Sequence, residues 1–125
     1  MPKTVLIVDD LFETTTLIAL ALERAGGYQC LKAHHAQEAL SLLENHTPDL
    51  IISDNIMPGM DGYEFCRLTR QRDDLRQVPF IMINYTGRDE VMEKSRAAGA
   101  DHIWTLPLNF RALPGMVAAV LGATN

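Results

Sequence analysis

The sequence lacks the features that define several protein classes. Its 125 residues include no apolar run near the roughly 18 residues of a membrane span, and no targeting pattern precedes the first apolar segment. Basic residues are also few, since 11 Lys and Arg face 16 Asp and Glu and leave a formal net charge of −5. Binding to nucleic-acid phosphates requires clustered basic side chains. We therefore expect a soluble, cytoplasmic protein that contacts neither membranes nor nucleic acid directly.

Cysteine is scarce as well, with two residues in the whole chain. Cys30 and Cys66 lie inside apolar segments and do not form the CxxC spacing of many metal and redox sites. We expect both to be reduced thiols in the protein interior. A chain of this length, with 47% hydrophobic residues, can bury about two thirds of its unfolded surface, so we predict a single domain over residues 1–125.

Short apolar runs recur along the chain and predict five β-strands. Because these runs do not alternate with polar residues, they favour a parallel sheet that is covered on both faces. The predicted strands are Val5–Val8, Tyr28–Ala33, Leu50–Ile52, Phe80–Ile83 and His102–Leu106.

Segments of helical period lie between the strands. Apolar or small residues recur with the spacing i, i+3, i+4, i+7 within Ala36–Leu43 and within Gly62–Thr69. Alternating strands and helices predict an α/β fold, a doubly wound, five-stranded parallel sheet in the order 2-1-3-4-5. The last helix is less regular, because Pro114 and Gly115 interrupt its start, and we expect it to begin late or to be kinked.

Three aspartates follow two of the predicted strands. Asp9 and Asp10 come directly after the first strand, and Asp54 follows the third. In this strand order the carboxyl ends of strands one and three flank the crevice in which ligands bind. Neighbouring carboxylates repel one another unless a proton or a cation compensates them, and Mg²⁺ prefers such oxygen ligands. The sequence therefore predicts an acidic Mg²⁺ site suited to phosphoryl transfer, since helix capping does not require all three aspartates.

Three sequence motifs make this interpretation more specific. They are VLIVDD at residues 5–10, DLIISDNIMPGMDGYEF at residues 49–65 and AAGADHIW at residues 97–104. In order and spacing they resemble the receiver domain of bacterial response regulators, which has a flavodoxin-like fold and serves two-component signalling. The resemblance covers essentially the whole chain.

The resemblance implies a role for each residue of the acidic site. Asp54 corresponds to the aspartate that accepts a phosphoryl group from the phosphohistidine of a sensor histidine kinase or a phosphotransfer protein. Asp9 and Asp10 correspond to the metal-binding pair, and with Asp54 and the backbone carbonyl of Ile56 they would hold Mg²⁺. The domain would then signal to a downstream effector through protein contacts, acting as an enzyme only in its own phosphorylation and dephosphorylation.

The chain departs from the family pattern at three positions. Asn84 stands where the family has Thr or Ser after strand four, and Leu106 stands where it has Lys before a proline. The aromatic switch position of strand five holds Ile103. A hydrogen bond to a charged group contributes roughly 1.5–3 kcal/mol, and an aliphatic side chain supplies none. We expect contacts to the phosphoryl group to come from Asn84, Thr86 or Arg88 instead.

These departures leave two functions open. Asp54 accepts a phosphoryl group, or the domain is a phosphorylation-independent pseudo-receiver that docks to partners. The first is preferred because the acceptor and the metal residues are present. Two enzyme classes fit less well, since a haloacid dehalogenase-type hydrolase needs a DxD motif where Asp9 and Asp10 are adjacent. A flavodoxin-type flavin carrier needs a small phosphate-binding loop where this chain has Leu11 and Phe12.

Two further expectations concern the last third of the chain. Trp104 follows the switch position and, by strand alternation, points to the opposite face of the sheet. If exposed, it would anchor a partner on the face of helix 4, strand 5 and helix 5, which the family uses for partners and through which a homodimer could form. The family also implies a cis peptide bond between Leu106 and Pro107.

Overall fold

The computed structural model describes residues 2–123, which alternate between strand and helix. The strands are β1 (Thr4–Val8), β2 (Gln29–Ala33), β3 (Leu50–Asp54), β4 (Phe80–Asn84) and β5 (His102–Thr105). The helices are α1 (Phe12–Gly26), α2 (Ala36–Leu43), α3 (Gly62–Gln71), α4 (Asp89–Ala98) and α5 (Leu113–Ala123). Every predicted strand is present, and its bounds differ from the prediction by only one or two residues.

The strands form one parallel sheet in the order β2-β1-β3-β4-β5, so the predicted fold class is confirmed. β1 pairs with β2 on one side and with β3 on the other, and Val8 lies opposite both Ala33 and Ser53. The residues that follow β1 and β3 therefore leave the sheet at the same edge. This edge is where ligands bind in open parallel sheets.

Helices cover both faces of the sheet. Successive residues of a strand point to opposite faces, and in β1 Val5 and Ile7 pack with α1 and α5, while Leu6 and Val8 pack on the side of α2, α3 and α4. None of these four side chains is more than 1% exposed. Burying one such side chain contributes about 1.5–3 kcal/mol. The central strands are thus held rigidly between two apolar layers.

Local sequence signals set where the helices begin and end. α1 is followed by Gly27, whose φ of 69° is left-handed and therefore favours glycine. The Asp61 carboxylate accepts the N–H of Glu64 at 2.9 Å and so caps α3. α5 begins at Leu113, not later, because Pro114 falls in the first turn, where a missing N–H costs nothing. Within residues 2–123, no helix is both long and apolar enough to cross a membrane.

Both cysteines are free thiols, as expected. Cys66 is fully buried, and burial raises the pKa of its thiol to about 12. Cys30 is half-buried, and burial raises the pKa of its thiol to about 11. Since reactivity requires the thiolate, neither side chain is a nucleophile at neutral pH.

Arg70 connects α3 to the segment that leads into β4 and to the segment between α4 and β5. Its guanidinium donates to the backbone carbonyls of Leu75, Val78 and Gly99 at distances from 2.8 to 3.4 Å. It also pairs with the Asp101 carboxylate at 2.6 Å. Because the guanidinium offers five donors in a planar fork, one side chain holds together loops that are distant in sequence.

We predict that Arg70→Met lowers the free energy of unfolding by about 2–4 kcal/mol, because it keeps the aliphatic stem but leaves several carbonyls without a donor. Urea unfolding measures the difference. Arg96→Met is the matched control, since the Arg96 side chain pairs with Glu93 alone among residues 2–123 and is 56% exposed. The control should change stability by less than about 0.5 kcal/mol. Equal losses in the two variants would contradict the prediction.

Candidate functional site

The structure brings the three predicted aspartates together. Asp9 directly follows β1, Asp10 is next in the chain, and Asp54 is the last residue of β3. One carboxylate oxygen from each lies within 4.8 Å of the others. β1 and β3 are paired neighbours in the sheet, so residues 44 positions or more apart in the chain meet at a single edge.

Burial and repulsion from neighbouring carboxylates raise the pKa values of Asp9 and Asp54. Asp9 is only 5% exposed, and burial raises the pKa of its carboxyl to about 6, although the Leu11 N–H at 2.9 Å opposes the shift. The carboxylates of Asp54 and Asp10 raise it further. Burial also raises the pKa of Asp54, while the N–H groups of Ile56 and Asn55 oppose the shift. Converging oxygen ligands that are costly to ionise together fit a hard divalent cation such as Mg²⁺.

Glycine brings the backbone of the next helix against Asp54. A Cβ on Gly62 would lie 2.1 Å from the carbonyl oxygen of Asp54 and 2.8 Å from the Cα of Asn55. The Gly62 N–H donates to the Asn55 carbonyl at 3.0 Å. The intervening turn uses Gly59 in the left-handed region, with a φ of 79°. Asp54 is therefore positioned by backbone contact with the first residue of α3.

Ile56 lies two residues after Asp54, on the loop that leaves β3. Its N–H approaches the Asp54 Oδ1 at 3.5 Å, at the limit of a hydrogen bond. Its side chain is 57% exposed at the mouth of the site. The proposed metal-binding role of its backbone carbonyl stays a prediction.

Asn84 is fully buried and bound to α4. Its Nδ2 donates to the Ser95 hydroxyl at 3.1 Å, and that hydroxyl lies 3.3 Å from Asn84 Oδ1 and 3.1 Å from the carbonyl of Val91. Sequence analysis did not identify Ser95 as the partner of Asn84. The available signal was a small polar residue at a core-facing position of α4, three residues before the buried Ala98.

The two other positions predicted to depart from the family pattern lie on and after β5. Leu106 is 48% exposed, and its N–H donates to the Asn84 carbonyl at 2.9 Å. The peptide bond between Leu106 and Pro107 is cis, as predicted. Ile103 is half-buried and lines a surface cleft together with Met92 of α4. The side chains of Leu106 and Ile103 are aliphatic, so neither offers a hydrogen-bond donor to a phosphoryl group.

The loop after β4 carries the other predicted phosphoryl contacts. The Thr86 hydroxyl accepts the N–H of Arg88 at 3.3 Å. The Arg88 guanidinium pairs with Glu90 at 2.5 Å, and 70% of its side chain is exposed. The structure gives Arg88 no contact with the aspartates among the described residues, and its role at a phosphoryl group stays a prediction.

Trp104 does not form part of an exposed partner surface. It is 9% exposed and packs in the apolar layer beneath α1 and α5, together with Ile81 and Val117. Strand alternation correctly placed it on the face opposite Ile103. The condition for a contact anchor, exposure, is not met, because that face of β5 is covered by α5.

Sequence and structure comparisons with known proteins both identify response regulators as similar to this chain. The sequence-family model of the response regulator receiver domain matches residues 5–118 of this chain. The phosphate regulon transcriptional regulatory protein PhoB of Pseudomonas aeruginosa is 37% identical over 98% of this chain and 53% of its own length. The polar-differentiation response regulator DivK of Brucella anthropi is 30% identical over 98% of both chains. The chemotaxis response regulator CheY4 of Vibrio cholerae superimposes with a TM-score of 0.90 at 29% identity, covering 96% of this chain and 99% of that one.

The relatives differ in how much of their length this chain matches. It spans about half the length of PhoB and of several other transcriptional regulators. It matches nearly all of DivK and of CheY4.

We predict that Gly62→Ala lowers the free energy of unfolding by more than about 2 kcal/mol, because its Cβ would overlap backbone that cannot rotate away. Gly115→Ala in α5 is the matched control, since its Cβ meets no atom within 4 Å. That control should raise stability by about 0.5–1 kcal/mol through helix propensity. Urea unfolding of both variants tests the pair, and a neutral Gly62→Ala would show that the approach to Asp54 is not tight.

We predict that metal-free protein loses stability as pH rises from about 4 to about 6. The folded-state pKa of Asp9, about 6, exceeds its ordinary value of 3.8, so the folded protein holds this proton more tightly than the unfolded chain. The loss attributable to Asp9 is about 2–3 kcal/mol.

Asp9→Asn should remove this part of the loss, because the amide does not ionise. Urea unfolding with a chelator near pH 4 and pH 7 measures the difference. Asp73→Asn serves as the control, since the Asp73 side chain is 90% exposed. An unchanged pH dependence in Asp9→Asn would contradict the assignment.

Proposed function

The chain belongs to the response regulator receiver domain family, and from that premise we propose that it accepts a phosphoryl group on Asp54 in a two-component phosphorelay. The observation that carries the proposal is the convergence of three carboxylates within 4.8 Å at the ends of β1 and β3. Receiver domains are signalling domains rather than classical enzymes. Chemistry at Asp54 would therefore be limited to the domain's own phosphorylation and dephosphorylation.

The transfer step requires a carboxylate nucleophile and a phosphorylated donor. An oxygen of Asp54 attacks phosphorus, the P–N bond of a donor phosphohistidine breaks, and the imidazole leaves with the electron pair. The product is an acyl phosphate on Asp54 and a free histidine on the donor. Burial raises the pKa of Asp54, although the N–H groups of Ile56 and Asn55 oppose the shift, so the carboxylate is less stabilised here than in water.

Receiver domains bind Mg²⁺ at an acidic pocket, and the cluster of Asp9, Asp10 and Asp54 has the donor set for it. When bound, Mg²⁺ would neutralise charge on the transferred group. The carboxylates of Asp9 and Asp10 would hold the ion beside Asp54, with the backbone carbonyl of Ile56 as a further ligand. Occupancy would also relieve the repulsion that raises the pKa of Asp9.

The phosphoryl group must find its other partners without a lysine at position 106. Thr86 is the readiest donor, because its hydroxyl accepts a hydrogen bond from Arg88 and donates none within the described part of the chain. Asn84 would have to leave Ser95, and Arg88 would have to leave Glu90. We therefore propose Thr86 as the first contact, with Asn84 and Arg88 as contacts that require rearrangement.

The proposed partners act at different surfaces. A sensor histidine kinase or a phosphotransfer protein would deliver the phosphoryl group at the edge that carries Asp54. A downstream effector, or a second copy of this chain, would bind the face of α4, β5 and α5. On that face Ile103, Met92 and His102 line one surface cleft and replace the buried Trp104 as candidate contacts. The cytoplasmic location and the absence of nucleic-acid contact stay predictions.

We predict a phosphoryl-sized gain in intact mass when the protein is incubated with Mg²⁺ and a small phosphodonor such as acetyl phosphate. The gain should disappear in Asp54→Asn and when a chelator replaces Mg²⁺, because the acceptor or the charge-neutralising ion is then missing. Asp61→Asn is the matched control, since Asp61 lies nearby but serves as the cap of α3. It should still be labelled.

The absence of any gain, while a conventional receiver domain is labelled alongside, would overturn the acceptor role. The phosphorylation-independent docking module would then be the better description. Labelling that persists in Asp54→Asn would place the acceptor elsewhere in the chain.

A further inference from the structure

A buried hydrogen-bond acceptor lies next to the acidic site without a partner. Asn55 is 1% exposed, and its Nδ2 donates to the Tyr63 hydroxyl at 3.0 Å. Its Oδ1 is buried and has no hydrogen-bond partner among the described residues. Buried side-chain oxygens are nearly always satisfied, since an unmade hydrogen bond costs free energy that water would otherwise supply. This atom therefore points to a group that binds here.

The same asparagine lines a surface cleft of about 430 Å³ between the loop after β3 and the start of α4. The cleft combines polar groups with exposed apolar surface: Asn55, Ile56, Tyr63, Tyr85, Val91 and Lys94 line it. Ile56 is 57% exposed and Tyr85 is 58% exposed. The carboxylates of Asp61 and Glu90 complete the lining. Apolar surface combined with placed hydrogen-bonding groups is typical of a binding pocket.

The hydrogen-bonding inventory of the cleft defines its ligand. Asn55 Oδ1 can only accept. The Tyr63 hydroxyl already accepts from Asn55 Nδ2, so its own proton remains available for donation. A primary carboxamide has an N–H to donate and a carbonyl to accept, side by side in one plane. We propose that this cleft binds a carboxamide, the side chain of an Asn or Gln on a partner protein, through Asn55 and Tyr63.

The charged groups of the cleft are already engaged, so they do not favour an ionic ligand. The Lys94 ammonium lies over the Tyr63 ring, 4.9 Å from its centroid. The Glu90 carboxylate pairs with the Arg88 guanidinium. The Asp61 carboxylate caps α3. A neutral ligand uses the two unoccupied hydrogen-bonding functions and leaves these interactions intact.

Access to the buried oxygen requires one lining side chain to rotate. Tyr85 is the least buried aromatic ring of the cleft, and a rotated ring can pack against the methylene groups of an Asn or Gln side chain. Ile56 and Val91 supply further apolar contact on either side. The ligand is thus a polar tip on a short aliphatic stem.

The inference does not rest on phosphoryl acceptance by Asp54. The test uses the complete, unphosphorylated chain without Mg²⁺, so its result is independent of the acceptor experiment. Asn55 and Ile56 follow Asp54 directly in the chain. A partner that fills the cleft would therefore contact the same loop that positions the acceptor.

The experiment titrates ¹⁵N-labelled protein with three probes of equal size: propionamide, propionate and propylammonium. We expect saturable shifts of the Asn55 side-chain amide and of backbone signals around Tyr63 with propionamide, half-complete below about 100 mM. Binding of propionate instead would indicate an anion site at Lys94, and binding of propylammonium a cation site at Asp61 and Glu90. Either result overturns the proposal, as does the absence of saturable shifts, which would mean that the cleft holds only water.

Variants assign the contacts. Asn55→Leu removes the acceptor at similar volume, and Tyr63→Phe removes the donor while keeping the ring. Each should weaken propionamide binding by about fivefold or more, the factor of one neutral hydrogen bond. The controls Asn45→Leu and Tyr28→Phe make the same changes outside the cleft and should leave affinity unchanged. Unchanged affinity in a folded Asn55→Leu or Tyr63→Phe would refute the assigned contacts.

Discussion

Repulsion among three carboxylates at one edge of the sheet is the constraint on which the rest of the site depends. Asp9, Asp10 and Asp54 converge within 4.8 Å, and burial raises the pKa of Asp9 to about 6. Two apolar layers hold β1 and β3 in place against this repulsion. The close approach of Gly62 to the backbone of Asp54 fixes the end of β3. The rigidity of the scaffold is thus what permits an electrostatically costly cluster to persist.

Asn84 connects the end of β4 to α4 and to the loop after β5. The Asn84 side chain, at the position where the resemblance implies Thr or Ser, pairs with the Ser95 hydroxyl of α4 through buried contacts of 3.1 and 3.3 Å. Its backbone carbonyl also accepts the N–H of Leu106. A buried polar pair is costly to break unless new partners replace the lost ones. Any rearrangement at Asn84 would therefore alter its contacts both with α4 and with the loop after β5.

The sequence by itself determined the fold class and the acidic site. Unbroken apolar runs such as Phe80–Ile83 have a strand's length and both faces covered, and the helical spacing between them allows few alternatives. Asp9, Asp10 and Asp54 were identified because strand order alone brings the ends of strands one and three together. These inferences depend on the periodicity of apolar residues and on the strand order that it implies. Neither requires knowledge of how side chains pack.

Only the tertiary structure decided which side chains meet. Trp104 follows the expected alternation, but its burial depends on how α5 covers that face of β5. Asn84 pairs with Ser95 eleven positions away, and Asn55 pairs with Tyr63 eight positions away, and in both pairs the second residue lies on the helix that follows. The unpartnered Asn55 Oδ1 is likewise invisible in the sequence. Such contacts depend on the packing of a helix on a sheet to within about an ångström, because hydrogen bonds weaken steeply beyond their short range.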